Sequence, residues 1–148
     1  TLDISQNNLR EIGSISELKN LINLDLKSNQ ITTLKGLRNL SLKRLDISSN
    51  KIENLFNLNG SELSLSILEL NLSKNPLKSL EGLENCIYLF HLNAKETKIT
   101  NLEEIEHIKN CKLLKKLQLP NELAPKESLL REKIILQNLN LVELDGIS

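Results

Sequence analysis

The sequence predicts an α/β fold: a right-handed solenoid with a parallel concave sheet of about six strands, short 3₁₀ or irregular helices on the convex side, and a C-terminal cap helix. Three observations lead to this prediction. A leucine-rich pattern with one asparagine recurs along most of the 148 residues. The apolar residues between its copies follow a period of three. The segment after the last copy carries apolar residues four apart, as on one face of a helix.

The repeated pattern is clearest in LDISQNNL, LDLKSNQI, LDISSNKI and LNLSKNPL, which begin at Leu2, Leu24, Leu45 and Leu70. Two weaker copies, LNAKETKI and LQLPNELA, begin at Leu92 and Leu117. In the first of these, Ala94 and Thr97 replace the second apolar residue and the asparagine. The starts are 22, 21, 25, 22 and 25 residues apart. This period, with the pattern L-x-L-x-x-N-x-L, is that of a leucine-rich repeat.

Each copy predicts one strand and one tight turn. Two leucines spaced two apart point inward from a short strand, and the residues beside them point to solvent. A buried backbone group left without a hydrogen bond in the following turn would cost about 1–3 kcal/mol. An asparagine amide supplies both donors and an acceptor. We therefore expect an inward-facing ladder that joins adjacent coils, made of Asn7, Asn29, Asn50 and Asn75.

The segments between strands predict the convex side. Apolar residues recur every three positions, which matches 3₁₀ turns rather than an α-helix. The two clearest runs are Leu77, Leu80, Leu83, Cys86, Leu89 and Ile99, Leu102, Ile105, Ile108, Cys111, Leu114. The third repeat departs from the period around Gly60 and Ser61 and predicts a longer and looser excursion.

Catalytic and metal-binding motifs are missing from the sequence, which has no glycine-rich phosphate loop, no H-E-x-x-H and no G-x-S-x-G. We therefore expect a protein that is not an enzyme and that has no cofactor and no metal site. His91 at a concave edge and His107 on a convex turn are interpreted as solvated side chains. Cys86 and Cys111 occupy the same place in neighbouring repeats and are interpreted as small buried hydrophobic residues.

Charge and hydropathy exclude two classes of partner. Lys plus Arg and Asp plus Glu both number 19, so no overall field favours direct binding to nucleic acid or to an anionic membrane. No segment approaches the roughly 18 apolar residues of a membrane span. The local basic run of Lys109, Lys112, Lys115 and Lys116 is interpreted as a solvated convex face.

The repeats resemble the 22-residue class of intracellular leucine-rich repeat proteins, typified by the regulatory subunit of protein phosphatase 1. The segment from Asn121 to Gly146 is similar to the C-terminal cap of that class, a helix with an arginine followed by L-x-x-LDG. The matching residues are Arg131, Leu141, Leu144, Asp145 and Gly146. It departs from the cap pattern at Glu122 and Leu130 and by one extra residue before the arginine. Similar caps occur in the axonemal dynein light chain of the class and in the spliceosomal A-prime protein.

These observations divide the chain into residues 1–120, six repeats of which the first is truncated, and residues 121–148, the C-terminal cap. A cap is needed because the last coil of a solenoid exposes an apolar end. Pro125 suits a first helical turn, and Leu130 and Ile134 share one face of the helix. At the other end Leu2 already lies in a strand. We therefore expect a fragment of a longer protein or an upstream segment that closes this end.

The predicted function is that of a non-enzymatic scaffold that binds another protein through the concave sheet. The outward side chains form three parallel, mostly polar columns. An alternative interpretation is that these columns are merely the solvated side of the sheet. The expected partner-binding residues are Asn23, Asp25, Lys27, Arg44, Asp46, Ser48, Glu69, Asn71, Ser73, His91, Asn93 and Lys95. Phe56 and Tyr88 are expected to be exposed and to allow a second contact on the convex side.

The resemblance implies a monomer, or part of a longer chain, in the cytoplasm or in a cytoskeletal or axonemal assembly. It also implies an alternative function, regulation of a Ser/Thr protein phosphatase, although the concave columns lack the aromatic anchors common at interfaces. A further alternative is an extracellular recognition domain. Such a domain would normally carry flanking disulfide clusters, and the two cysteines of this sequence do not form them. The identity of the partner is not encoded in any motif.

Overall fold

A computed structural model describes residues 1–126, 128–129, 131–132 and 141–145. The strands are β1 (Leu2–Asp3), β2 (Asn23–Asp25), β3 (Arg44–Asp46), β4 (Glu69–Asn71), β5 (His91–Asn93), β6 (Lys116–Gln118) and β7 (Glu143–Leu144). The 3₁₀ helices are Ser14–Glu17, Lys35–Leu37, Leu102–Ile108 and Asn121–Lys126. Residues 128–129 and 131–132 are α-helical.

The seven strands form one parallel sheet in chain order, from β1 to β7. Equivalent residues of successive repeats pair directly, as Leu24 does with Leu45 and Leu45 with Leu70. The predicted solenoid and its six repeat strands are confirmed. A seventh strand comes from the predicted cap, where Leu144 pairs with Leu117 and continues the inward leucine column.

The core is a continuous column of aliphatic side chains between the sheet and the convex turns. The inward strand residues Leu24, Leu45 and Leu70 are each only 2% exposed. Cys86 and Cys111 have no exposed surface and take their places in the same column, as expected. In the period-three segments every third side chain points back toward the strands. Each coil therefore stays narrow, and the sheet stays in register.

The asparagine ladder is confirmed for Asn29, Asn50 and Asn75, which are buried. Asn50 shows the geometry: its Oδ1 accepts from the backbone N–H of Ile31 in the preceding coil, with N and O 2.9 Å apart. Asn7 is exposed instead, because the described structure has no coil before it, and its amide bonds only to its own turn. The amide of Asn7 faces its own turn as the amide of Asn50 does, but in the described structure it makes no bond to a second coil.

The third repeat is, with the fifth, one of the two longest, but the expectation that it is loose is wrong. Ser61, Ser64 and Ser66 are buried in it. Their hydroxyls donate to backbone carbonyls, Ser61 Oγ to Leu58 O at 2.6 Å and Ser66 Oγ to Leu42 O at 3.0 Å. Small hydroxyl side chains that bond locally can replace the leucines of the regular period.

The described part of the predicted cap is bonded to the last repeat through its own backbone and one carboxylate. Asp145 Oδ1 accepts from the N–H of Leu119 at 2.7 Å, and the N–H of Asp145 donates to Leu117 O at 2.9 Å. Leu141 packs against the core, and Arg131 is helical. The predicted positions Leu130, Ile134 and Gly146 lie outside the described residues.

Candidate functional site

The twelve predicted partner-binding residues lie on one face of the solenoid, in three columns set by the strand register. The column before the inward leucines is Asn23, Arg44, Glu69 and His91. The middle column, directly after these leucines, is Asp25, Asp46, Asn71 and Asn93. The column two residues further along is Lys27, Ser48, Ser73 and Lys95. The parallel pairing therefore brings all of them to the concave side.

The first column is held by contacts between neighbouring strands. Arg44 Nε lies 3.0 Å from Glu69 Oε1, with side chains 59% and 42% exposed. His91 Nε2 lies 3.4 Å from Gln118 Oε1 on β6. An exposed ion pair adds at most about 1 kcal/mol to stability. The main effect of the Arg44–Glu69 pair is to orient both side chains, which places a cation and an anion side by side near the middle of the sheet.

The middle column begins with three carboxylates in register, Asp3, Asp25 and Asp46. Each accepts a hydrogen bond from the backbone N–H two residues later, with N and O 2.9 Å apart. Such a bond from Ser5 holds the pKa of Asp3 below its ordinary value. Neighbouring strands lie about 4.8 Å apart, so the row concentrates negative charge on β1 to β3.

The third column is less accessible than the sequence predicts. Ser48 and Ser73 are buried, and their hydroxyls donate to Asp46 Oδ1 at 2.6 Å and Asn71 Oδ1 at 2.8 Å. The expectation that these two serines are displayed to solvent is wrong, since both are buried with their hydroxyls bonded to the side chain two residues earlier. Lys27 is exposed and Lys95 is half-buried.

Asn71 links the two buried serines into one network, since its Nδ2 also donates to Asp46 Oδ2 at 2.9 Å. The network fixes the side chains of β3 and β4 before any partner arrives. Beside it lies a depression of about 270 Å³. Its lining is formed by Arg44, Leu45, Asp46, Glu69, Leu70, Asn71, His91 and Asn93.

His107 corrects the interpretation of a solvated histidine. Its Nδ1 lies 2.6 Å from Glu84 Oε1 and its Nε2 lies 3.7 Å from Glu104 Oε2. Burial is the largest influence on Glu84 and raises its pKa, but hydrogen bonds from its own backbone, from His107 and from Gly82 together lower that pKa below its ordinary value. Sequence spacing offered one signal, because Glu104 stands three residues before His107.

The two cysteines are poor candidates for chemistry. Both are free and buried, and burial raises the pKa of each thiol to about 12. A thiol is nucleophilic only as its thiolate, so neither is activated. Across the residues described by the structure, no three His, Cys, Asp or Glu side chains are grouped so that they could hold a metal ion. No helix in the described part of the chain has the length and apolar character to cross a membrane.

Several known proteins are similar to this chain, although no protein-family model matches it. It is 37% identical over 116 residues to a Toll-like receptor 2 of Gallus gallus, covering 76% of this chain and 14% of the receptor. It is 33% identical over 109 residues to an uncharacterised leucine-rich repeat-containing protein of Schizosaccharomyces pombe, covering 73% of this chain and 14% of that protein. It is 31% identical over 112 residues to a protein phosphatase 1 regulatory inhibitor subunit homolog of Arabidopsis thaliana, covering 73% and 33%.

Among solved structures, an internalin of Listeria monocytogenes has a TM-score of 0.72 to this chain at 25% identity, covering 94% of this chain and 38% of the internalin. The chain spans less than two-fifths of the length of each of these four proteins. On these grounds the chain is a member of the leucine-rich repeat family.

Proposed function

We propose that this chain is a non-enzymatic protein-binding scaffold whose concave sheet, centred on β2 to β5, holds the partner. The observation that carries the proposal is the fixed arrangement of the outward side chains around Asp46 and Asn71. Side chains already held in one geometry lose less conformational entropy when a partner binds. A merely solvated sheet face would not need cross-strand bonds between its outward side chains.

Charge suggests which part of a partner lies where. The carboxylates of Asp3, Asp25 and Asp46 make the β1 to β3 end of the concave side acidic. Further along, Asn71, Asn93 and Gln118 occupy the same column and are neutral. A partner segment that crosses the sheet would therefore place a lysine or arginine over the acidic end and hydrogen-bonding, uncharged groups over the other end.

A more specific version of the proposal is regulation of a Ser/Thr protein phosphatase. It is favoured by the similarity to the Arabidopsis thaliana protein named as a protein phosphatase 1 regulatory inhibitor subunit homolog. Under this version the chain works inside the cell. A place in a cytoskeletal or axonemal assembly stays a prediction of the sequence resemblance.

The ion pair of Arg44 and Glu69 provides the test. Partner proteins would be captured on the purified chain and quantified by mass spectrometry, with a phosphatase 1 catalytic subunit assayed directly by surface plasmon resonance. Arg44→Glu together with Glu69→Arg restores an ion pair in the opposite order. We expect this double variant to melt as the wild type does and to lose most partner capture, because the charge pattern is reversed.

The matched control is Glu81→Lys, a charge reversal at an exposed convex position. It should leave capture unchanged. If Glu81→Lys abolishes capture and the swapped pair retains it, the concave proposal is wrong. If capture depends on the concave pair but the phosphatase catalytic subunit does not bind, only the phosphatase version fails.

A further inference from the structure

A second surface stands out on the edge of the solenoid where the chain turns into each strand. We define this leading edge as residues 18–22, 39–43, 64–68, 86–90 and 111–115. Its last residues stack from coil to coil through backbone hydrogen bonds. Lys43 N donates to Ile22 O, Leu68 N to Lys43 O, Phe90 N to Leu68 O and Lys115 N to Phe90 O, all at 2.8–2.9 Å. The leading edge is therefore as strictly in register as the concave sheet.

Large apolar side chains are exposed on the leading edge of three neighbouring coils. Leu65 is 56% exposed, Phe90 46% and Leu113 50%. Ile87 and Tyr88 are also exposed. The backbone bonds from Leu89 N to Cys86 O and from Leu114 N to Cys111 O, both 3.0 Å, place Tyr88 and Leu113 at the same position of successive turns. Contiguous exposed apolar side chains of this kind mark interaction sites.

Phe56 is also exposed but does not belong to this surface. It follows a buried leucine of the third convex segment, at the position that Lys35, Glu81 and Glu103 occupy in other repeats. Its register neighbours are charged, so it forms no apolar patch. Tyr88 was expected to contribute to a convex contact, but it lies on the leading edge with Phe90.

The charge of the leading edge has one sign. Its five segments contain four lysines, Lys19, Lys43, Lys112 and Lys115, and no aspartate or glutamate. The chain as a whole has equal numbers of acidic and basic residues. All 19 acidic residues lie outside these five segments, although Glu17, Glu62, Glu69 and Glu84 stand within two residues of them in the sequence. Glu69 pairs with Arg44 and Glu84 with His107, so the charged side chains within the leading edge itself are lysines. A partner complementary to it carries apolar and acidic side chains.

We propose that the leading edge binds an acidic amphipathic α-helix of a partner protein, which lies across the coils. The stacked order Lys43, Leu68, Phe90, Lys115 is basic, apolar, apolar, basic, over three coil spacings of about 4.8 Å, or about 14 Å. Helix positions i, i+4, i+7 and i+11 share one face and span about 16 Å. A helix with Glu, Leu, Leu and Glu at these positions places each side chain opposite its complement. This site is separate from the concave sheet.

An anionic membrane is the rival occupant, since lysines beside exposed apolar side chains also suit lipid. The net charge of zero gives the molecule no overall attraction to such a surface. A fixed order of basic and apolar positions, held in register, also gives no advantage on a fluid lipid surface. A helical peptide accounts for both features, and the membrane becomes an outcome of the test.

The probe is a fluorescein-labelled synthetic helix of about four turns, with Glu, Leu, Leu and Glu at i, i+4, i+7 and i+11 and alanine or glutamine elsewhere. Fluorescence anisotropy would measure its binding to the whole chain. We expect Phe90→Ser and Lys43→Glu each to weaken binding by about tenfold or more. The matched controls, Phe56→Ser and concave Arg44→Glu, should bind the helix as the wild type does. A second peptide with Lys in place of both Glu should bind at least about tenfold more weakly.

Three results would overturn the proposal. One is no binding of the acidic helix at any soluble concentration. Another is equal binding of the lysine peptide, or binding that Phe90→Ser and Lys43→Glu leave intact. The last is sedimentation with phosphatidylserine vesicles that Phe90→Ser abolishes, without peptide binding, which would make the leading edge a membrane surface. Because Arg44→Glu affects only the concave sheet, failure here is distinguishable from failure of the proposed concave function.

Discussion

Each buried asparagine of the repeats hydrogen-bonds to two coils at once. Asn75 Oδ1 accepts from Ile52 N at 2.9 Å, and Asn75 Nδ2 donates to Ile47 O of the preceding coil and Leu72 O of its own, both at 3.0 Å. The same amide therefore closes the turn and joins it to its neighbour. No hydrophobic residue can do this, since the surrounding carbonyls and N–H groups have lost their water.

Asn50→Ala should destabilise the chain by about 1–3 kcal/mol, because it leaves the N–H of Ile31 and the carbonyls of Leu26 and Ile47 without their amide partner. Urea unfolding followed by circular dichroism would measure the loss. Asn7→Ala is the matched control, since Asn7 is exposed and bonds only within its own turn, and it should cost less than about 0.5 kcal/mol. Equal effects of the two substitutions would contradict the cross-coil role.

Cys86 and Cys111 should resist a thiol reagent in the native state. With each pKa near 12, on the order of one thiol in 10⁴ is ionised at pH 8, and burial excludes the reagent as well. Ellman's reagent would measure the rate, with an exposed Ser41→Cys variant as the internal standard. In denatured protein both thiols should react with the reagent at once. Native labelling of either cysteine as fast as Cys introduced at position 41 would show that the core column is open.

The burial of a single residue can be predicted where its position in the repeat decides it. Burial cannot be predicted where it depends on which side chains hydrogen-bond to one another in the fold. Asn50 and Cys86 were placed correctly because their repeat position alone decides burial. Ser48 was not, since its burial depends on the Asp46 carboxylate turning toward it. For the same reason His107 could not be assigned to Glu84, which lies 23 residues away in sequence and meets it only after the coils stack.

Adjacent convex segments touch so closely that some positions admit no side chain. A Cβ added to Gly82 would lie 2.4 Å from Leu55 O of the preceding coil, and the φ of Gly82 is +109°. Gly60 also has a positive φ, +64°, but nothing lies within 4 Å of its added Cβ. A comparison of substitutions at the two glycines therefore distinguishes the cost of backbone strain from the cost of close contact between elements.

Gly82→Ala should be the more harmful of the two changes. Gly60→Ala should cost about 1–2 kcal/mol, the ordinary penalty of a left-handed conformation. Gly82→Ala should exceed it by about 1 kcal/mol or more, because a backbone carbonyl must also move. Urea midpoints of the two variants give the comparison directly. Similar midpoints would mean that the coils can separate at this point without cost.

The convex segments are also joined by the carboxylate of Glu84, whose folded-state pKa lies below the ordinary value of 4.5. The unfolded chain therefore binds more protons in this range, and the stabilisation from Glu84 is complete above about pH 4.5 and is lost as pH falls through the folded-state pKa. Glu84→Gln should make the decline in stability between pH 6 and pH 3.5 shallower. Glu81→Gln, at an exposed position in the same segment, should leave the decline as in the wild type. If the stability of Glu84→Gln declines as steeply with falling pH as that of the wild type, this linkage is wrong.

Strands and most convex turns follow from the sequence because a period of two and a period of three are distinct even in short segments. The strands β1 to β6 therefore appear where the paired leucines predict them. The third convex segment could not be predicted, since serines take the places that leucines hold in other segments. The hydroxyls of these serines donate hydrogen bonds to backbone carbonyls. The leading edge is not predicted by the sequence because its exposed apolar residues fall outside the repeat pattern, and only the stacking of the coils aligns the segment of Leu65 with that of Ile87.

On the scale of the whole molecule, each coil is stabilised by its contacts with the neighbouring coils. Each strand pairs only with the strands before and after it, so a repeat contacts its immediate neighbours and little else. Such a molecule behaves approximately as a one-dimensional chain of coupled units, in which an unprotected end frays first. Strand β7 has the inward Leu144 pairing with Leu117, so it covers the end of the sixth repeat.

Deleting residues 126–148 tests this dependence on the end of the solenoid. The truncated chain loses β7, the ion pair between Lys116 and Glu143, and the bond from Leu119 N to Asp145. It also exposes Leu117 and Leu119, which are 0% and 1% exposed in the intact chain. Hydrogen exchange should therefore accelerate most in β6, less in β5 and hardly at all in β2 and β3, and size-exclusion chromatography should show association. A substitution of exposed Val142 by Ser, which leaves β7 in place, should change neither result. Uniform acceleration across all strands would show that the repeats unfold as one unit, and an unchanged profile would show that the segment does not cap the solenoid.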